Sequence, residues 1–218
     1  MTVQVLAIEL AKYLRDIHKE WDGRKSILEM KENGNTQWRQ MEWIGFYFQY
    51  LCEKKFKEIM EIPGPRYGNV SFDGFWKVPW DFKAHAMNTS SHKIIVNDKE
   101  AIIRAIDEYG NVGLILAMGE VTYNDDERSF QKWHNELKGG KSKYELERIK
   151  RGAWSRLRKT NFALQQISFI QIDEALLRRS GSFQRDFRNA DGSPRREKVM
   201  LNLEKIDEEL VYFLEFDD

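Results

Sequence analysis

With 218 residues, 41% of them hydrophobic and 32% charged, the chain is long and apolar enough for one domain with a sizeable core, which excludes a disordered segment. The lone Cys52 excludes an internal disulfide and any zinc-finger spacing, and no apolar run is long enough to span a membrane. With no cleavage pattern at the N-terminus, this predicts a cytoplasmic protein without a membrane partner. The formal net charge is zero, yet residues 141–160 carry eight Lys/Arg against two Glu, and the last fifteen residues carry seven acids against Lys205. Local field rather than net charge governs docking to a phosphate backbone, so nucleic acid stays within the admissible partners.

Residues 2–20 read as a first amphipathic helix, with Val5, Ile8, Leu14 and Ile17 among its apolar positions and Asp22-Gly23 breaking it. A short helix around Ser26–Lys31 follows, then the Asn33-Gly34-Asn35 turn, after which Thr36 is the expected N-cap of a helix over Gln37–Glu61. The middle of that helix is so apolar that burial on most sides is expected. Glu42 sits inside the apolar run and Gly45 beside it, where a glycine lets a helix approach a sheet closely. Glu42 also admits a plainer role, at the rim or paired with Arg39.

Pro63-Gly64-Pro65 ends the helix, and a β hairpin follows over Tyr67–Asn88. Val70, Phe72, Val78, Trp80, Phe82 and Ala84 alternate with polar residues at the strand period of two. Asp81, Lys83 and His85 therefore share one face, with Phe82 and Ala84 pointing the other way into a core. Carboxylates and an ammonium gathered on a strand are costly unless something binds them, and a divalent metal with a phosphate would account for them.

Lys93–Val96 is a further candidate strand, and Asn97-Asp98-Lys99-Glu100 a capping box opening a helix that runs to Tyr109 and stops at Gly110-Asn111. The near-continuous apolar run Val112–Val121 marks a strand buried on both faces. Asn124 is the expected cap of a helix to about Lys138, followed by a basic helix Tyr144–Lys159, a strand Phe162–Ile172 and a short helix Asp173–Arg179. Ser180–Arg196 reads as a long exposed loop, and Met200–Leu203 and Leu210–Phe216 as paired final strands. The order predicts an α/β fold, a small central mixed sheet flanked by helices with a crossover connection. Residues 1–140 would form the α/β core, with the N-terminal helices, and residues 141–218 a basic extension packed on it, within a single domain.

Asp73, a seven-residue gap and then Asp81-Phe82-Lys83 on a hairpin resembles the signature of the PD-(D/E)XK nucleases, and the whole chain resembles a type II restriction endonuclease. Glu29-Met30-Lys31, Glu53-Lys54-Lys55 and Glu136-Leu137-Lys138 repeat the acid-x-Lys pattern, but in helical contexts, and Pro79-Trp80-Asp81 offers a second way to read the acidic half. The resemblance implies a restriction-endonuclease-like fold and Mg²⁺ held by Asp73, Asp81 and the carbonyl of Phe82. It also implies Lys83 as a catalytic cation, Glu42 as the helical Glu that many members place beside the metal, and a homodimer acting on double-stranded DNA. Phosphate contacts are expected from Lys141, Lys143, Arg148, Lys150, Arg151, Arg156 and Arg158, and base contacts from Arg185, Arg188, Arg195 and Asn88. A junction-resolving or repair nuclease of the same fold, or a nucleic-acid-binding protein without activity, are the alternatives.

Overall fold

Val3, Leu6, Ala7, Leu10, Ala11 and Leu14 recur at helical spacing, and helix α1 (Val3–Leu14) buries that stripe. Val5 and Ile8 lie on its outer face, 58% and 54% exposed. The expected helix to residue 20 thus stops at Leu14, because the chain turns to supply strand β1 (Glu20–Asp22), whose Trp21 stacks on Phe162 with ring centroids 4.8 Å apart. The computed structural model describes residues 2–123, 127–152, 157–184 and 194–216.

Asp22, expected to break a helix, starts one: its carboxylate accepts from the Lys25 N–H and caps α2 (Gly23–Glu32). Asn35, not Thr36, then caps a single 3₁₀ turn, Thr36–Arg39. Gln40 is extended, so α3 begins afresh and runs Trp43–Phe56, much shorter than expected. It buries Trp43, Ile44, Tyr47, Phe48, Tyr50, Leu51, Cys52 and Phe56, in line with its composition. A Cβ on Gly45 would meet nothing within 4 Å, so that glycine serves no close approach to the sheet.

The remaining elements are β2 (Arg66–Tyr67), β3 (Val70–Ser71), β4 (Gly74–Trp76), β5 (Val78–Ala86), β6 (Lys93–Asp98), α4 (Lys99–Tyr109), β7 (Val112–Tyr123), α5 (Ser129–Leu137), α6 (Lys143–Lys150), β8 (Lys159–Ile172), α7 (Glu174–Ser180), β9 (Gly181–Gln184), β10 (Lys198–Asn202) and β11 (Val211–Glu215). α4 opens one residue later than the capping box would have it: Asp98, not Asn97, is the cap, accepting from the N–H groups of Glu100 and Ala101. Three further expectations change. The basic helix ends at Lys150 rather than Lys159, with Gly152 in the left-handed region (φ 67°), and Lys159 opens the long strand β8. Part of the expected exposed loop, Gly181–Gln184, is a strand. The last two strands do not pair: β10 joins β6 and β9, whereas β11 joins β8.

Among the described residues the main sheet has six strands in the order β1-β8-β7-β5-β4, with β11 sharing the outer edge of β8 with β1. β5 and β7 are parallel, joined by a crossover through β6 and α4, and the β7–β8 and β5–β4 pairs are antiparallel. This is the mixed α/β sheet that the element order predicts. Successive residues of β7 face opposite cores, as a doubly buried strand requires: Ile115 and Ala117 pack with α1, α2 and α3, whereas Leu114 and Leu116 pack with α4, α7 and the β6-β10-β9 sheet. β8, which comes after Gly140 in sequence, lies inside the main sheet rather than on its outside.

Candidate active site

The site grows from a mismatch in strand length. β4 pairs with β5 only from Val78 to Trp80, and beyond that point β5 keeps β7 on one side and, among the described residues, has no strand on the other. The Phe82 N–H and C=O face this open side, where backbone groups must find other partners. Asp73, just before β4, supplies one: its Oδ2 accepts from the Phe82 N–H at 2.7 Å, while its own N–H donates to the Trp80 carbonyl at 3.0 Å. Asp73 is thus pinned by the backbone of the strand carrying Asp81 and Lys83.

Alternation along β5 does the rest. Trp80 and Phe82 enter the core against α3, and Asp81 and Lys83 turn to the opposite face. Trp80 is seated by Gly113 directly across on β7, where a Cβ would lie 2.2 Å from the indole ring. That packing sets the position of the next residue, Asp81, which is 1% exposed. Asn97 Nδ2 donates to Asp81 Oδ1 at 3.1 Å, and Asn97 Oδ1 is held by the Asp98 N–H at 2.8 Å.

Lys83 Nζ lies where these oxygens converge. It donates to the Phe82 carbonyl at 3.2 Å and to Asp73 Oδ2 at 3.4 Å, and sits 3.8 Å from Asp81 Oδ1. Burial pulls the ammonium toward neutrality, but Asp81 and Asp73 outweigh it and hold its pKa above the ordinary lysine value. Burial pushes the Asp81 carboxyl up, Lys83 pulls it back and Asp73 adds to the rise, leaving it at about 6. Asp81 Oδ2 is buried and has no hydrogen-bond partner among the described residues. A buried carboxylate oxygen without a donor is expensive unless a cation takes it.

The surrounding pocket, about 430 Å³, is also lined by Gln49, His85, Asn97, Lys159 and Lys198. Burial holds the His85 imidazole below its usual range. Among the described residues no three His, Cys, Asp or Glu side chains converge on a metal position. The oxygen donors are two carboxylates and a backbone carbonyl. That set fits a hard ion such as Mg²⁺, which is commonly held by one or two carboxylates and keeps several waters, and the unpartnered Asp81 Oδ2 agrees with it.

Glu42 is at this pocket, but not as an interior helical residue. It is the N-cap of α3, 70% exposed at its side chain, and its carboxylate accepts from Lys159 Nζ at 3.1 Å. The helical acid that responds to Asp73 is Glu53: burial raises its pKa, a hydrogen bond from Gln49 at 3.0 Å opposes this, and Asp73 raises it further. Sequence reasoning passed over Glu53, Asn97, Lys159 and Lys198. The signal for Glu53 lay in its spacing of four from Gln49, on the same face of the helix.

The expected DNA contacts divide. Lys141, Lys143, Lys150 and Arg151 are exposed on or beside α6, with Arg151 3.8 Å from Glu147. Arg148 and Arg158 are partly buried, and burial lowers the Arg158 pKa. Arg195 is exposed. Asn88 is exposed and holds β7 through its amide, donating to the Val121 carbonyl at 2.9 Å and accepting from the Val121 N–H at 3.0 Å, which leaves its second N–H and second lone pair for other partners. Asn124, Arg156, Arg185 and Arg188 lie outside the described residues. Among the described residues, no helix is long and apolar enough to cross a membrane.

No family model matches the chain, and no curated protein matches it. Among solved structures, the chain is similar to the restriction endonuclease BglI bound to its DNA recognition sequence, with a TM-score of 0.38 and 10% identity over 99% of this chain and 88% of that one. So loose a likeness carries no argument, and function must be read from the residues of the site.

Proposed function

We propose that this chain is a Mg²⁺-dependent endonuclease of double-stranded DNA, acting at a specific sequence as type II restriction enzymes do, in the cytoplasm and as a homodimer with one site for each strand. The observation that carries the reading is the convergence of Asp73, Asp81 and the Phe82 carbonyl around Lys83 at the open side of β5, with Asp81 Oδ2 buried and without a donor. Asp73, Asp81 and the Phe82 carbonyl would hold the ion. When bound, Mg²⁺ supplies Lewis acidity, polarising a phosphate oxygen and lowering the pKa of a coordinated water.

The chain's own groups have separable tasks. In hydrolysis a water oxygen bonds to phosphorus as the bond to O3′ breaks. The water's proton leaves to solvent and O3′ gains one, giving 5′-phosphate and 3′-hydroxyl ends. In the metal-free site Asp81 and Asp73 hold the Lys83 pKa above the ordinary lysine value, and beside the reacting phosphate Lys83 would act as a positive charge and hydrogen-bond donor. Asn97 keeps the Asp81 carboxylate from rotating. Lys159 and Lys198 at the pocket wall offset the charge of the flanking backbone.

Incubation with phage DNA and Mg²⁺ followed by electrophoresis tests the proposal. Discrete fragments are expected, lost on chelation and in Asp81→Asn, Asp73→Asn and Lys83→Ala. Loss of one such group costs about 3 kcal/mol of barrier, or at least a hundredfold in rate. Wild-type cleavage by a folded Asp81→Asn or Lys83→Ala protein would overturn the site assignment, and a smear in place of bands would overturn the sequence specificity.

A further inference from the structure

The site pocket continues past the Glu42–Lys159 ion pair. The same two residues line a second hollow, of about 490 Å³, together with Met41, Tyr123, Leu157 and Arg158. Met41 is shared in turn with a third hollow, of about 540 Å³, walled by Arg39, Gln40 and residues 138–142. The three join into one groove that runs from Asp81, past the start of α3, to the turn after α5. Element ends create it: Gln40 is extended between the 3₁₀ turn and α3, β7 ends at Tyr123 where β8 begins at Lys159, and α5 ends at Leu137.

Two features of the walls limit what fits. The middle hollow is apolar on one side. Tyr123 follows Val121 on the α3 face of β7, and a shift of register after Thr122 sets it opposite Lys159. It is 43% exposed, and its side chain has no hydrogen bond or ring partner among the described residues. Leu157 in the same hollow is 42% exposed. A ring and a leucine standing clear of the core offer a surface to a flat partner. The far hollow, by contrast, gathers cations. Arg39 donates to the Lys138 carbonyl at 3.0 Å and lies over the Trp38 ring, 5.0 Å from its centre. Burial lowers the Lys138 pKa, Glu145 opposes this, and Arg158 and Arg39 lower it further. Burial, then Lys138, Arg158 and Arg39, hold the nearby His134 imidazole down at about 4 against a hydrogen bond with Trp38. Like charges pressed together in this way mark a place for an anion. Duplex DNA answers half of this pattern: its phosphates could meet the cations, but its bases are paired and stacked and cannot reach Tyr123. An unpaired strand presents both a base face for the ring and a phosphate for the next cation.

We propose that this groove binds an unpaired stretch of DNA, with a base stacked on Tyr123 beside Leu157 and the adjoining phosphates on Lys138 and Arg39. The preferred substrate is then DNA in which duplex gives way to single strand next to the cut. That the strand leads to a cut rests on the nuclease reading. Its binding does not, because it needs neither metal nor Asp73, Asp81 and Lys83. It is equally separate from the phosphate contacts of α6, because an exposed lysine does not distinguish a paired strand from an unpaired one, whereas a stacking ring does.

Fluorescence anisotropy of labelled oligodeoxythymidine with the intact protein in metal-free buffer measures the binding. A 5-iodouracil in the same strand, which cross-links on irradiation to a ring stacked against it, locates it. The single strand should bind and cross-link to Tyr123. Tyr123→Ala, a change on an exposed side chain, should weaken single-strand binding about fivefold or more and leave the binding of a blunt duplex unchanged, while Tyr123→Trp keeps single-strand binding. Lys141→Ala, Lys143→Ala and Lys150→Ala together should leave the ratio of single-strand to duplex affinity as it is in wild type. No single-strand binding, a cross-link confined to other residues, an equal loss on duplex in Tyr123→Ala, or a ratio that falls with the α6 lysines and not with Tyr123 would overturn the groove. The nuclease reading would survive any of these if the protein cuts duplex DNA, and it alone would fall if the protein held the strand at Tyr123 and cut nothing.

Discussion

At the scale of single residues, Asp81 holds the site's main tension. Its carboxyl is raised from 3.8 to about 6, chiefly by burial. A folded-state pKa above the unfolded one means that the native protein binds the proton more tightly. Native stability therefore falls as pH rises from about 4 to 6, and the cost is fully in place above that window; two pH units correspond to about 3 kcal/mol. Asp81→Asn removes the ionisation while its Oδ1 can still accept from Asn97. In metal-free buffer the variant should be more stable than wild type at pH 8 by up to about 3 kcal/mol and indistinguishable at pH 4. Denaturant midpoints at the two pH values check this, and an equal difference at both would mean that ionisation is not its source. The pairing of Asp81 with Lys83 was legible in the sequence because the strand period alone puts both on one face. The role of Asn97 was not, because its contact with Asp81 crosses from β6 to β5, and residue types carry no mark of such a pairing.

At the scale of elements, the least legible boundary is the start of α3. No proline or glycine separates Arg39 from Trp43, so the apolar run reads as one helix with Glu42 inside it. A 3₁₀ turn and the extended Gln40 instead make Glu42 a cap at the pocket rim, and bring Glu53 toward Asp73 from one turn beyond Gln49. Glu53→Gln should therefore reduce Mg²⁺-dependent cleavage more than Glu42→Gln does, as measured by single-turnover rates at saturating enzyme. The reverse order would return the helical role to Glu42. β7 was legible by its apolar run, but its Gly113 has a purpose visible only across the sheet, where it makes room for Trp80. Gly113→Ala pushes a methyl into that indole, an overpacking cost of about 1–3 kcal/mol. Because Asp81 is next to Trp80 in the strand, the same change should slow cleavage beyond what the lost folded fraction explains. Full activity per folded molecule, with the folded fraction taken from near-ultraviolet circular dichroism, would separate Trp80 seating from the site.

For the whole molecule, charge and fold divide the chain differently. The sequence boundary at Gly140 separates the hairpin of Asp73, Asp81 and Lys83 from the basic region, yet β8 pairs with β7 inside the main sheet and β11 pairs with β8. The chain beyond Gly140 is thus both core and surface: β8 and β11 complete the sheet, while α6 and the residue before its cap present Lys141, Lys143 and Lys150 to solvent. The charge bias was legible from composition. Its placement was not, because the expected basic helix over Tyr144–Lys159 would have put Lys159 on the same surface, whereas the structure puts it beside Glu42 at the site pocket. The two groups of cations should then differ in behaviour. Each exposed lysine that touches a phosphate displaces a condensed counterion, so its removal weakens binding to every duplex and reduces the slope of log K against log salt by about 0.9. Lys141→Ala, Lys143→Ala and Lys150→Ala together should lower that slope by about 2.7 if all three contact phosphate, with little change in the single-turnover rate of bound DNA. Lys159→Ala, which frees Glu42 and changes the pocket wall, should instead lower that rate while altering the slope by about one at most. Isotherms at several salt concentrations, with single-turnover cleavage beside them, separate the two groups. If the triple variant kept the wild-type slope, the phosphate-binding surface would lie elsewhere than α6.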